Sequence, residues 1–276
     1  MKKVGVIIPS YNQGRYLRQA IESALQNAAN VEMDIAVIDG GSTDESRAIL
    51  SEYADRLTFW CSEPDGGQAA AINKGIRALP ECEYYMWLNS DDVFENAFAV
   101  AGIVDFAQSN QLEVCYGLSH FIDEQGRVIG EYPVEEYSRK KLGKYCFLSQ
   151  PSVLFSRAAY ETTGPINESF RMCLDYEYWI RLAQHYEFGF FREYVGSTRM
   201  YAGTKTSRMQ QRHLTEAMSI LIKYYGDVPM HWIVTKILAD RPDSVWNKLP
   251  RRMLLVLFRP LKKKYIRKSL EENKEC

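Results

Sequence analysis

The residues best suited to chemistry are the adjacent carboxylates of Asn89-Ser90-Asp91-Asp92, which directly follow the apolar run Met86-Trp87-Leu88. Neighbouring carboxylates repel one another unless solvent or a cation offsets the charge. A divalent ion of the Mg²⁺ or Mn²⁺ kind takes one or two protein carboxylates and completes its shell with phosphate oxygens and water. The competing reading is a helix N-cap, with Asp91 or Asp92 capping a helix that runs toward Phe106. Spacing alone leaves both open.

Three other segments combine polar side chains with local flexibility. In Asp39-Gly40-Gly41-Ser42-Thr43-Asp44-Glu45-Ser46 a carboxylate precedes two glycines, which permit close backbone approach, so Asp39 could accept a hydrogen bond from a nucleobase N–H. Ser42 or Thr43 could cap the following helix, and Asp44 or Glu45 would suit its dipole whatever the turn does. Glu63-Pro64-Asp65-Gly66-Gly67-Gln68 leads into Ala69-Ala70-Ala71-Ile72-Asn73-Lys74-Gly75, where small residues suit packing against a sheet or a ligand. Lys74 could reach a phosphate or lie on a solvated face. Finally, Asp175 in Leu174-Asp175-Tyr176-Glu177-Tyr178-Trp179 reads from its position as a helix N-cap.

The elements that must position these segments alternate along the first half. Val4–Ile8, Ile35–Ile38, Leu57–Trp60 and Tyr84–Leu88 read as strands; 15–26, 44–53 and 68–79 read as helices. This β-α-β-α order implies a parallel sheet with helices on both faces, and such sheets bind ligands beyond the C-terminal ends of their strands. Each strand ends in a polar or glycine-rich cluster (9–12, 39–44, 63–68, 89–92), so the four clusters should meet along one edge. In the second half, Val114–Ile122, Val128–Tyr132 and Gln150–Phe155 read as strands and 176–185 as a helix, with a mainly helical region beyond about residue 207.

Two apparent signals are rejected. Gly203-Thr204-Lys205-Thr206 lacks the spacing of a phosphate-binding loop, and no G-x-G-x-x-G follows the first strand.

As a set, Ile7-Ile8-Pro9-Ser10-Tyr11-Asn12, Ile38–Asp44, Glu63–Gly75, Leu88–Asp92 and Leu174–Leu182 resemble the family 2 glycosyltransferases with the GT-A fold, in the family's order across residues 4–206. The resemblance implies a mixed, mostly parallel α/β sheet flanked by helices, with a donor-binding half (1–112), an acceptor-binding half (113–206) and a helical C-terminal region (207–276). It implies a nucleotide-sugar donor, UDP by default, held by Pro9, Tyr11, Asn12, Asp39, Asp65, Gly67, Gln68, Asn73, Lys74, Asn89, Asp91 and Arg199. Asp92, with Asp91 beside it, would hold Mn²⁺ or Mg²⁺. Asp175 would be the general base of an inverting single displacement onto a hydroxyl of a glycan or lipid-linked glycan, in bacterial surface-polysaccharide synthesis. Two positions depart from the family pattern: Asn89 stands where an aspartate is frequent, and Tyr201 where a histidine is usual. Arg199 and Lys205 would remain to offset phosphate charge. The alternatives are a silent nucleotide-sugar-binding or scaffold protein of the same fold, and a sugar-phosphate nucleotidyltransferase. The latter needs a glycine-rich basic loop where Ser10-Tyr11-Asn12-Gln13 stands.

With 46% hydrophobic and 25% charged residues and a net charge of -1, the 276-residue chain fits a globular protein and not a nucleic-acid binder. Six scattered cysteines without a C-x-x-C pair suggest reduced thiols and a cytoplasmic location. From 249 to 276 nine Lys/Arg face three Asp/Glu. The apolar run 253–258 lies among these cations and is too short to span a bilayer. Residues 249–268 could lie on an anionic membrane surface, pack on the body or make a homodimer contact.

Overall fold

The structure is a computed structural model describing residues 3–203, 209–240, 249–263 and 266–267. The first strand, β1 (Val4–Ser10), is an unbroken apolar run because both its faces are covered; all seven residues are buried. It pairs in parallel with β2 (Met33–Asp39) and β4 (Tyr84–Trp87), and β2 pairs in parallel with β3 (Phe59–Ser62). The nine-stranded sheet continues through β8 (Val153–Ser156), β6 (Val114–Ile122), β9 (Gly189–Arg199) and β5 (Val93–Phe94), with β7 (Val128–Glu131) beside β6. β5, β7 and β8 run against the other six strands. The sheet is therefore mixed and mostly parallel, as expected.

Alternation along the strands sorts the core into two layers. Val4, Val6, Ile8, Val37, Met86 and Leu88 pack with α1 (Gly14–Asn27), α2 (Ser46–Tyr53) and α4 (Ala99–Ser109). On the opposite face α3 (Gln68–Ala78) lies so close to β1 that a Cβ on Gly75 would sit 2.4 Å from Ile7 Cγ2. The same side stacks Trp87 on Trp179 of α7 (Leu174–Leu182), with centroids 5.0 Å apart. α6 (Arg157–Thr163) follows β8, its Ser156 cap accepting from the Ala159 N–H at 2.9 Å.

Several boundaries differ from the sequence expectation for physical reasons. Residues 150–152 form a single 3₁₀ turn, because Pro151 has no N–H for a ladder, and the strand starts at Val153. A second such turn, Ala54–Arg56, delays β3 to Phe59. Neither Asp91 nor Asp92 is a helix cap, since β5 intervenes and Phe98 holds the N-cap position of α4. Helix α2 starts at Ser46, so Ser42 and Thr43 do not cap it. Asp175 lies inside the first turn of α7, with Cys173 at the cap.

Residues 1–137 and 147–201 form one unit; 138–146 join 202–276 in a second. In the second unit α5 (Arg139–Leu142) is capped by Ser138, and the Trp232 indole donates to the Lys144 carbonyl at 2.7 Å. α8 (Gln210–Tyr225) ends at Gly226, whose φ of +66° supplies the left-handed C-cap. α9 (Met230–Asp240) and α10 (Arg251–Leu257) follow. No described helix is long and apolar enough to cross a membrane. Residues 204–206, 264, 265 and 268, which figure in the sequence reading, lie outside the described residues.

Candidate active site

Because β1 to β4 are parallel, their C-terminal loops converge on one edge, and hydrogen bonds weld them together. The Gly40 N–H donates to the Ser10 carbonyl and the Glu63 N–H to the Asp39 carbonyl, at 2.9 and 3.0 Å. Asn12 adopts a left-handed φ of 51°, which suits asparagine, and its Oδ1 accepts from the Thr43 N–H at 2.9 Å. Pro9 is buried in β1, whereas Tyr11 is 64% exposed.

Asp39 is fully buried; its carboxylate accepts from the Ser42 N–H (2.8 Å), the Ser42 hydroxyl and the Ser62 hydroxyl (2.7 Å). It organises the turn, and a base reaching it would compete with the Ser42 hydroxyl. Asp65 lies across from Gly40, where an added Cβ would meet its carboxylate at 3.2 Å, and it accepts from the Gly67 N–H at 2.6 Å. Gly67 itself has a φ of +102°. Gln68 donates to Asn89 Oδ1 at 2.8 Å, which joins the third loop to the fourth.

Two expected donor ligands are already occupied within the protein. Asn73 is 1% exposed and clamps the loop after α6, donating to the Ile166 carbonyl (2.8 Å) and Glu168 (3.0 Å) and accepting from the Ile166 N–H (2.9 Å). Lys74 pairs with Glu63.

Asp91 and Asp92 differ in their surroundings. Asp92 is 3% exposed; Oδ1 accepts from the Arg199 N–H at 2.9 Å and Oδ2 from Asn89 at 3.0 Å. Burial, and next the charge of Asp91, push its carboxyl up to about 8. Asp91 is half-buried and accepts one side-chain hydrogen bond, on Oδ2, from the Tyr201 hydroxyl at 3.0 Å. Burial raises its pKa, and that hydrogen bond opposes the rise. Tyr201, pushed up to about 12 by burial and then by Asp91, also accepts from Gln13 at 3.1 Å.

Arg199 is 2% exposed, and its guanidinium is spent on internal partners. It donates to the Asp91 carbonyl (2.7 Å), the Asp123 carbonyl (2.7 Å) and Gln19 (2.8 Å), and lies 4.7 Å from the centroid of the Tyr16 ring. It braces the acidic corner from behind. Arg199→Met is expected to destabilise the protein by about 3 kcal/mol, read as a lower urea midpoint, because buried carbonyls lose a charged donor.

Asp175 lies one turn before Trp179 on α7, and Trp179 stacks on Trp87 immediately before Leu88 and the Asn89–Asp92 loop. Its Oδ1 accepts from the Tyr176 N–H at 2.8 Å. Upstream of α7, Arg171 donates to the Gly66 carbonyl and crowds Gly67, so the α7 approach is tied to the third loop. Arg171, Gln13 and Gln19 were invisible as site residues in the sequence. Only Gln13, directly after Ser10-Tyr11-Asn12, carried a positional hint.

The donor set fits a divalent cation in part. Two mutually repelling carboxylates at a strand end, one buried and one half-buried, are the chemistry that such an ion offsets, although no group of three or more metal-capable side chains occurs among the described residues.

Residues 5–164 match the family model described as Glycosyl transferase family 2. An uncharacterized glycosyltransferase of Rickettsia prowazekii is 30% identical over 74% of this chain and 66% of its own. The chondroitin synthase of Escherichia coli is 31% identical over 66% of this chain and 26% of its own, so the chain spans only part of either relative. In structure, S. aureus TarS 1-349, solved with UDP-GlcNAc, superposes with a TM-score of 0.65 at 16% identity, covering 81% of this chain and 66% of that one. The shared fold is GT-A.

Proposed function

The chain belongs to glycosyl transferase family 2, and from that premise we propose that it transfers a sugar from a nucleoside-diphosphate sugar, UDP by default, to a glycan hydroxyl with inversion. The observation that carries this reading is the convergence of the four strand-end loops, with their carboxylates, on one edge; the Trp179–Trp87 stack, one helical turn from Asp175, supports setting Asp175 beside it. The likeness to a chondroitin synthase and to a fold solved with UDP-GlcNAc supports polysaccharide synthesis and a uridine donor.

In this reading the nucleoside lies over the loops bearing Asp39 and Asp65, with Tyr11 and Asn12 beside it. Asp91 is the principal cation ligand, since its carboxylate accepts a single side-chain hydrogen bond from the fold; Asp92, with both oxygens engaged, holds the loop in shape. A divalent cation bound there would offset charge on the departing diphosphate. Asp175 accepts the acceptor hydroxyl's proton as that oxygen bonds to the anomeric carbon and the bond to the diphosphate oxygen breaks. Nucleoside diphosphate and an inverted glycoside leave.

Tyr201 competes for Asp91. Tyr201→Phe removes that hydrogen bond and is expected to tighten Mn²⁺-dependent UDP binding about threefold to tenfold by calorimetry; weaker binding would instead make the hydroxyl itself a ligand. The function is tested by incubating the protein with a panel of UDP-, GDP- and dTDP-sugars, Mn²⁺ and oligosaccharide acceptors. Nucleoside diphosphate release matched by a new glycoside supports it; absence of transfer and of donor binding across the panel refutes it.

A further inference from the structure

Helix α10 carries an apolar face that nothing described covers. Leu254 is fully buried and Phe258, the residue after the helix, is 8% exposed, so one side is docked. Met253, Val256 and Leu257 stay outside, at 46%, 72% and 47% exposure. At about 100° per residue these three fall within an arc of about 100° that excludes Leu254. Three of the eight exposed large apolar side chains of the described chain thus crowd onto one two-turn helix.

Charge identifies the occupant. Residues 249–263 contain Arg251, Arg252, Arg259, Lys262 and Lys263 and no acidic residue. Lys262 is paired with Asp227. Arg251, Arg252, Arg259 and Lys263 are exposed and make no ion pair among the described residues. A second copy seated on this face about a two-fold axis would bring arginine against arginine, with no carboxylate from residues 249–263 between them. An anionic lipid surface supplies both what the apolar residues and what the cations lack.

We propose that α10 lies in the plane of an anionic bilayer surface, with Met253, Val256 and Leu257 entering the acyl boundary and Arg251, Arg252, Arg259 and Lys263 meeting lipid phosphates. The contact is peripheral, since no described helix can span. It does not depend on the transferase reading.

The test uses the full chain in co-sedimentation with phosphatidylcholine vesicles, with and without about a third of phosphatidylglycerol, at low and high salt. The wild type is expected to partition at least about tenfold more strongly onto the anionic vesicles, and less so at high salt. Val256→Asp with Leu257→Asp, and separately Arg251→Gln, Arg252→Gln and Arg259→Gln together, are each expected to weaken that binding about tenfold or more. Circular dichroism melts show whether each variant is folded; the arginine set alters only exposed side chains and keeps the test open if the aspartates unfold the helix. The proposal is overturned if the wild type ignores anionic vesicles or if folded variants bind like it. It is equally overturned if light scattering shows a dimer that the aspartates dissociate, because a second copy would then cover the face.

Discussion

Replacing Asp175 with Asn is expected to lower kcat by about 10²–10⁴-fold while the Kd for the nucleotide sugar stays within about twofold. The substitution preserves shape, and the amide oxygen can still accept from the Tyr176 N–H as Asp175 Oδ1 does. It removes the negative charge and with it the capacity to take a proton at neutral pH. Helix α7 is held by other means, chiefly the Trp179–Trp87 stack and Arg181, which pairs with buried Glu177 at 3.0 Å and donates to the Thr163 and Pro165 carbonyls at 2.8 Å. The variant should therefore melt within about two degrees of the wild type, as surface-like substitutions do. Loss of turnover with intact donor binding is the signature of a base. Equal, measurable turnover in variant and wild type would reject the assignment, whereas donor binding with no turnover in either would favour a silent binder of the same fold.

The second large effect separates the two neighbouring carboxylates. Asp91→Asn is expected to weaken Mn²⁺-dependent UDP binding about a hundredfold and to lower turnover by at least as much, with little loss of stability. It removes the charge that Asp92 faces, and its side chain can still meet the Tyr201 hydroxyl. Asp92→Asn should behave differently. One of the two Asp92 oxygens, which accept from the Arg199 N–H and from Asn89, would become an amide donor aimed at another donor. That costs about 1–3 kcal/mol, read as a lower melting temperature, before any effect on chemistry. If Asp92→Asn abolished metal-dependent binding while leaving stability unchanged, the roles of the pair would be reversed.

Much of this corner was legible from the chain. Four strands, each ending in a polar cluster, dictate a shared edge once they run parallel, and the register of β1, β2 and β3 delivers it. The departures arose where partners are remote in sequence. Arg199 looks like a phosphate ligand until its donors are followed to the carbonyls of Asp91 and Asp123. Asn73 has helical spacing and nothing to reveal that the Ile166 backbone, 93 residues on, consumes its amide. The two-residue strand β5 escaped because its pairing with β9 is a tertiary fact with too few residues to show a period. It decided the N-cap question for Asp91 and Asp92. Tyr201 was legible only as a departure from the family pattern; its bond to Asp91 gives that departure a physical meaning.

The central claim is that the strand-end edge holds a nucleoside diphosphate through a cation on Asp91. Calorimetric titration of UDP into the full chain tests it most directly, run with Mn²⁺, with EDTA, and with Asp91→Asn in Mn²⁺. The expected result is saturable binding in Mn²⁺ that weakens about a hundredfold both in EDTA and in the variant, whose melting temperature matches the wild type. Binding of equal strength in all three titrations, or none to the folded wild type with UDP or with GDP in its place, would contradict it.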